Sequence, residues 1–260
     1  MKIKSTYSLA LIAAVSAFFL SNSPLRADTD DRIESAAKKS HVFKTYLKDD
    51  AIKTKSKDGI VTLTGTVSDS NHKALAENTV ESLPGVKSVD NQLTVKGEKP
   101  VAEHSDAWVG MKVKSALLFH RHVRATKSVV NVQDGVVTLT GEASSLAQKE
   151  LTTEYVSDVE GVKEVKNEMT VVATTTPPTA TIGEKIDDAS ITAQVKSTLL
   201  AHRSTSALKT KVKTTDGVVT VSGLAKNAAE KSLVTKLVSD IDGVISVVND
   251  MTIATPVAAK

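Results

Sequence analysis

No cysteine occurs among the 260 residues, which excludes disulfides, thiolate chemistry and a lipid anchor carried on cysteine. Small exported domains built this way must hold together by packing alone. Aromatic residues are scarce, 3% of the chain, and Trp108 is the only tryptophan. Long apolar runs are missing as well. The stretch from Leu9 to Leu20 is too short to span a bilayer comfortably. Preceded by Lys2 and Lys4 and followed by Ser21 to Ala27, it reads as an export leader over residues 1–27, cleaved before Asp28. A retained signal anchor is the alternative, because Leu25 is larger than the residue a cleavage site prefers.

Charge of one sign is also lacking. The formal excess of +3 resides in Lys2, Lys4 and Arg26, so the chain beyond the leader carries 30 basic and 30 acidic residues. Nucleic acid is excluded as the main partner, since phosphate neutralisation needs a basic surplus. No serine or threonine lies in a nucleophile elbow or beside a recognisable base, which argues against an enzyme. His120 and His122 stand two residues apart on a helix, facing different ways, and no carboxylate completes metal-ligand spacing, so neither a metal nor a cofactor is expected.

What the chain has is repetition. An Asp-Gly pair, a glycine six residues beyond it, a Gly-Val pair and then an asparagine occur three times at fixed spacing. They are Asp58-Gly59, Gly65, Gly85-Val86 and Asn91; Asp134-Gly135, Gly141, Gly161-Val162 and Asn167; Asp216-Gly217, Gly223, Gly243-Val244 and Asn249. The units span about 30–96, 105–172 and 187–254, with a Pro/Thr-rich linker over 173–186. The reading is of units strung on linkers, with close packing between neighbours as the alternative.

Each unit spells the same elements. A first amphipathic helix carries Val109, Val113 and Leu117 in unit two and Ile191, Val195 and Leu199 in unit three. Unit one has Ile33, Ala37 and His41 there, so its helix is expected to be shifted or frayed. Asp-Gly between alternating segments predicts a two-residue hairpin turn. Gly65, Gly141 and Gly223 mark a bulge or a close backbone approach. Asp69, Ser145 and Asn227 cap a second helix, with Gln148 and Glu230 placed for capping boxes, and Gly85, Gly161 and Gly243 end it. A last strand alternates through Val89, Leu93 and Val95 and their counterparts. Asn91, Asn167 and Asn249 share the inward parity, so their amides are expected to pair with backbone. The fold class is α+β: three tandem αββαβ domains, each a mixed three-stranded sheet with two helices on one face.

This succession of helix, Asp-Gly hairpin, glycine, capped helix, Gly-Val and Val-x-Asn-x-Leu/Met-x-Val resembles the BON domain, in three copies that cover nearly all of the chain beyond the leader. The resemblance implies a periplasmic or envelope location and non-enzymatic roles. These include association with phospholipid surfaces, support of the envelope under osmotic stress and, in one relative, chaperone-like activity.

The repeats disagree at the first helix of unit two. Trp108, Lys112, Ser115, Phe119 and His122 form a stripe beside the apolar one, where unit three has Ser190, Gln194, Ser197, Ala201 and Ser204. Aromatic rings with nearby cations suit an interface on anionic lipid, so Trp108, Lys112, Phe119, Arg121 and Arg124 are the candidate lipid-binding residues. Trp108 and Phe119 equally suit a joint between units. The function expected is peripheral attachment to phospholipid. A holdase for unfolded exported proteins is the alternative, and the sequence leaves the oligomeric state open.

Overall fold

The computed structural model describes residues 23–97, 102–123, 128–172 and 185–254. Most of the expected leader, most of the 173–186 linker and Arg124 lie outside them. Among the described residues no helix is long and apolar enough to cross a membrane.

Unit one runs α1 (Ser23–Lys39), α2 (His41–Thr45), β1 (Ala51–Lys57), β2 (Ile60–Val67), α3 (Ser70–Glu81) and β3 (Ser88–Val95). Unit two follows with α4 (Asp106–Leu118), β4 (Ser128–Gln133), β5 (Val136–Ala143), α5 (Leu146–Ser157), β6 (Glu164–Asn167) and β7 (Thr170–Val171). Unit three has α6 (Asp188–Ala201), a 3-10 turn, β8 (Thr210–Thr215), β9 (Val218–Ala225), α7 (Ala228–Ser239) and β10 (Ser246–Ile253).

In every unit the first two strands form an antiparallel hairpin and the last strand returns parallel to the second. The second strand is therefore central, and the second helix is the crossover. Unit two departs in one detail, for its last strand is broken into β6 and β7, both on β5. The hairpin turns have φ of 56°, 53° and 48° at Asp58, Asp134 and Asp216, with positive φ at the following glycines, as a primed turn demands. At Gly223, φ is 132° and an added Cβ would lie 2.1 Å from the Lys209 carbonyl oxygen; Gly65 meets Ala51 oxygen at 1.8 Å. These glycines let the first strand begin against the second at van der Waals distance.

The weak first helix of unit one resolves into two pieces. Ile33 and Ala37 are buried, and the chain turns at Ser40, whose hydroxyl caps α2 through the Phe43 amide. His41 leaves the apolar stripe because the helix that defines it has ended.

The units are not strung apart. α6 lies between α3 of unit one and α4 of unit two, and ten of its 14 residues are buried. Its outward stripe, polar in sequence, is not wet: Ser190, Gln194 and Thr198 are fully buried and His202 is 3% exposed. One apolar cluster runs through units one and three and takes in Phe119 of unit two; the second belongs to unit two and takes in Ala201 of unit three. Phe119 and Ala201 hold the same repeat position, so units two and three each lend one side chain to a neighbouring core.

Candidate functional site

The repeated polar residues build each unit from within. A carboxylate on each first helix holds the hairpin: Asp106, in the first turn of α4, accepts from the Asp134 and Gly135 amides at 2.8 and 2.9 Å. Asp30 and Asp188 do the same in units one and three. The Ser56 hydroxyl, with the Gly59 and Asp58 amides, holds the Asp30 carboxyl below the usual range. The asparagines clamp the last strand to the second helix. Asn249 donates to the Lys231 carbonyl (2.9 Å) and the Thr235 hydroxyl (2.8 Å) and accepts from the Met251 amide (3.0 Å). Asn167 repeats this with Lys149, Thr153 and Met169, and Asn91 with Lys73, Glu77 and Leu93. Asp69, Ser145 and Asn227 cap the second helices. The Gln148 and Glu230 side chains, however, reach the amides of Ser144 and Lys226, one residue before the cap.

Between units two and three lies a joint with approximate two-fold symmetry. The segment after α4 bridges Ile241 at His120, and the segment after α6 bridges Val159 at His202. Arg121 N donates to Asp240 O at 2.9 Å, mirrored by Arg203 N to Asp158 O at 2.9 Å. Asp242 N donates to Phe119 O at 3.1 Å, mirrored by Glu160 N to Ala201 O at 3.3 Å. Arg121 Nη2 reaches the Ile241 and Val244 carbonyls at 2.6 and 2.8 Å; Arg203 reaches those of Val162 and Ser157 at 3.3 and 2.8 Å.

Two buried histidines face the opposite unit's aspartates. His202 Nδ1 contacts Asp158 Oδ2, and His120 Nδ1 lies 3.1 Å from Asp240 Oδ2. The His120 contact is close but not aligned as a hydrogen bond. Asp240 is also taken up by His122 and by the Tyr155 hydroxyl, the latter at 2.9 Å, and Asp158 by the Ser204 hydroxyl. His120 stacks on Tyr155 with ring centroids 4.2 Å apart.

Burial pushes the His120 pKa below the ordinary histidine value, against the pull of Asp240. Burial alone would raise both aspartates. The contacts from His120, His122 and Tyr155 at Asp240, and from His202, Ser204 and Arg203 at Asp158, bring them below the usual carboxylate range. Burial, then the Asp240 charge, raises the Tyr155 phenol.

Unit one cannot enter such a joint. It carries Lys44-Thr45 where the others have His-Arg, and Ser82-Leu83-Pro84 where they have Asp158-Val159-Glu160 and Asp240-Ile241-Asp242. Pro84 has no amide to donate. Unit one docks on α6 instead. His41 N donates to Asp187 Oδ2 (2.7 Å), Val42 N to Ser190 Oγ (3.0 Å), and Lys196 pairs with Glu81 at 2.8 Å. A comparison of the repeats for His-Arg and Asp at matching positions would have signalled the pairing of units two and three. Read against metal binding alone, the histidines gave no hint of it.

The lipid stripe expected on α4 is dismantled by this joint. Phe119 is 1% exposed and meets Tyr46 of unit one edge-on at 5.1 Å, so its ring cannot enter a membrane. The Arg121 guanidinium is spent on unit three's carbonyls, and Arg124 lies outside the described residues. The physical reason is that the flank of α4 faces another unit rather than water. Trp108 and Lys112 stay together: Lys112 Nζ sits 4.3 Å over the indole and pairs with Glu160 at 2.6 Å. The half-buried Trp108 lies against Gly161, with His104 5.0 Å from its ring. Beside it opens a pocket of about 590 Å³ lined in part by His104, Asp106, Asp134, Lys163 and Arg203.

These features define a tandem-repeat protein of three docked αββαβ units. The BON domain family model matches residues 29–97, 105–173 and 187–255, and the chain belongs to the BON domain family. It is 33% identical over 146 residues to osmotically-inducible protein Y of Escherichia coli (strain K12), covering 56% of this chain and 71% of that protein. It is 31% identical over 135 residues to the outer membrane lipoprotein DolP of Haemophilus influenzae (strain ATCC 51907 / DSM 11121 / KW20 / Rd), covering 52% and 68%. An uncharacterized protein in the gshII 5′ region of Anaplasma centrale is 30% identical over 145 residues, covering 55% and 91%.

Proposed function

We propose that this chain is a non-catalytic, exported protein of the bacterial envelope that attaches peripherally to phospholipid surfaces through unit two and supports the envelope under osmotic stress. The observation that carries the reading is the setting of Trp108. Its half-buried indole lies under the Lys112 ammonium, next to a pocket whose lining sets His104, Lys163 and Arg203 beside Asp106 and Asp134. An aromatic edge beside donors for phosphate is what an interfacial headgroup contact uses. The names of two relatives, one osmotically inducible and one an outer membrane lipoprotein, support the envelope and the osmotic setting. The holdase alternative calls for a broad apolar groove, whereas this site is a compact pocket whose lining carries charges of both signs.

The test is a titration of the chain with anionic and with zwitterionic vesicles, following Trp108 emission at low and high salt. A blue shift confined to anionic vesicles, reduced by salt and weakened in Lys163→Glu, is the expected result. No shift and no co-sedimentation would end the lipid reading and direct attention to client-aggregation assays.

A further inference from the structure

We propose that the joint between units two and three is a proton-sensitive clasp, which opens on mild acidification while each unit stays folded. Three observations carry it, and none depends on the lipid reading.

The first is the placement of an ionisable ring. The His120 side chain is fully buried at the joint, and Nε2 has no hydrogen-bond partner among the described residues. Protonation would put a cation there with one donor unanswered. Facing it are Asp240 and Asp242 after α7, Tyr155 from α5 and His202 after α6. Its neighbours His122 and Arg121 turn to Asp240 and to unit three's carbonyls. Asp240 would welcome a charged His120, yet it already serves His122 and the Tyr155 hydroxyl. Burial outweighs it.

The second observation is the composition of the docked face. Ser190, Gln194 and Thr198 on α6, with His202 just past its end, are buried in a row from the Val42 amide of unit one to Asp158 of unit two. Both polar atoms of the Gln194 amide, the Thr198 hydroxyl and His202 Nε2 lack partners among the described residues. A permanently closed face would be expected to fill these positions with apolar groups. Polar groups left unpaired on docking regain water on opening, which lowers the cost of release.

The third is that the fastening is local to the joint. Three of the four cross-unit backbone bonds, at Arg121, Arg203 and Asp242, lie outside the helices and strands of either unit, and the fourth, from Glu160, ends on Ala201, the last residue of α6. They can break together without disturbing a sheet.

The sign follows from linkage. His120 binds a proton more weakly when docked than when free, so the docked state is favoured above the ordinary histidine pKa and loses ground as pH falls below it. The experiment is amide hydrogen exchange on the full chain at about pH 7.5 and about pH 5.5, either side of that pKa, corrected for intrinsic rates. Protection of the Arg121, Arg203, Asp242 and Glu160 amides should fall by roughly tenfold at the lower pH, with β2, β5 and β9 still protected. His120→Gln, which cannot take up the proton, should flatten this dependence. Unchanged protection, an equal loss in the variant, or simultaneous exposure of the strands would overturn the clasp. If His120→Gln does not close at neutral pH, proton NMR of the native chain decides. The His120 ring must titrate in step with the loss of protection, and a ring that titrates while the joint stays protected refutes the proposal.

Discussion

Arg121 donates through Nη2 to the carbonyl of Ile241, 2.6 Å away in the next repeat. A residue that sequence placed at a membrane thus fastens one unit to another. Replacing it with alanine removes charge-assisted bonds to two carbonyls, costing about 2 kcal/mol, or roughly thirtyfold in the closing equilibrium. Arg203→Ala should cost less, because its bond to Val162 is longer, at 3.3 Å. Hydrogen exchange at the joint measures both; equal effects would contradict the asymmetry.

Pro84 stands in unit one where Glu160 stands in unit two, so a proline is compatible with the fold of a unit at this turn. Glu160→Pro should leave unit two folded and delete both the amide bonded to Ala201 and the carboxylate paired with Lys112. The expected loss is about 1 kcal/mol at the joint, seen as faster exchange at 201–204 with unchanged protection of β5.

Asn249 joins β10 to α7 through three bonds, two donated and one accepted. Asn249→Ala should destabilise unit three by about 2–3 kcal/mol, read from denaturant unfolding. Asn249→Asp loses the donor to the Lys231 carbonyl while ionised. Protonation restores one donor, so this variant should recover stability as pH falls, opposite to the clasp.

Gly223→Ala would drive a methyl carbon to 2.1 Å from the Lys209 oxygen at a φ of 132°. A cost of about 3 kcal/mol or more is expected, with β8 separating from β9. Gly97, whose added Cβ would meet nothing within 4 Å, provides the contrast: Gly97→Ala at φ 86° suffers backbone strain alone and should cost about 1 kcal/mol.

Asp158 and Asp240 are held below the usual carboxylate range. Their contribution is present above the unfolded carboxylate pKa and is lost as pH falls through the lower docked value. A second loss of protection at the joint should therefore appear in stronger acid than the first. Asp158→Asn should diminish that acid limb in a pH series of exchange measurements.

The elements within a unit were legible because their signals are local. Asp134-Gly135 needs only its own backbone to form a turn, and Ser145 needs only the Gln148 amide to cap α5. The asparagines could be placed by strand parity, although their partners Lys231 and Thr235 required the fold. The site was harder to see. Periodicity distinguishes a face that meets its own sheet from one that does not, but it cannot separate water from another repeat. Phe119 and Gln194, alike in position off the apolar stripe, both came out buried for that reason. The hairpin-holding role of Asp106 was missed because it joins residues 28 and 29 positions apart, a spacing that no local pattern marks.

The position of α6 has a consequence for the order in which the molecule can be completed. The helix that lies between α3 and α4 belongs to the third repeat, which is synthesised after the two it joins. Direct links between the first two repeats include the Asn71 side chain on the Met111 carbonyl and the Tyr46 ring on Phe119. A nascent chain that has reached only residue 172 therefore holds two repeats with uncovered flanks, and their final arrangement waits for α6. Interruptions late in the chain should for that reason disturb the whole assembly, whereas the leading repeat, lacking the His-Arg and Asp fastenings, is the one whose loss leaves the clasp intact.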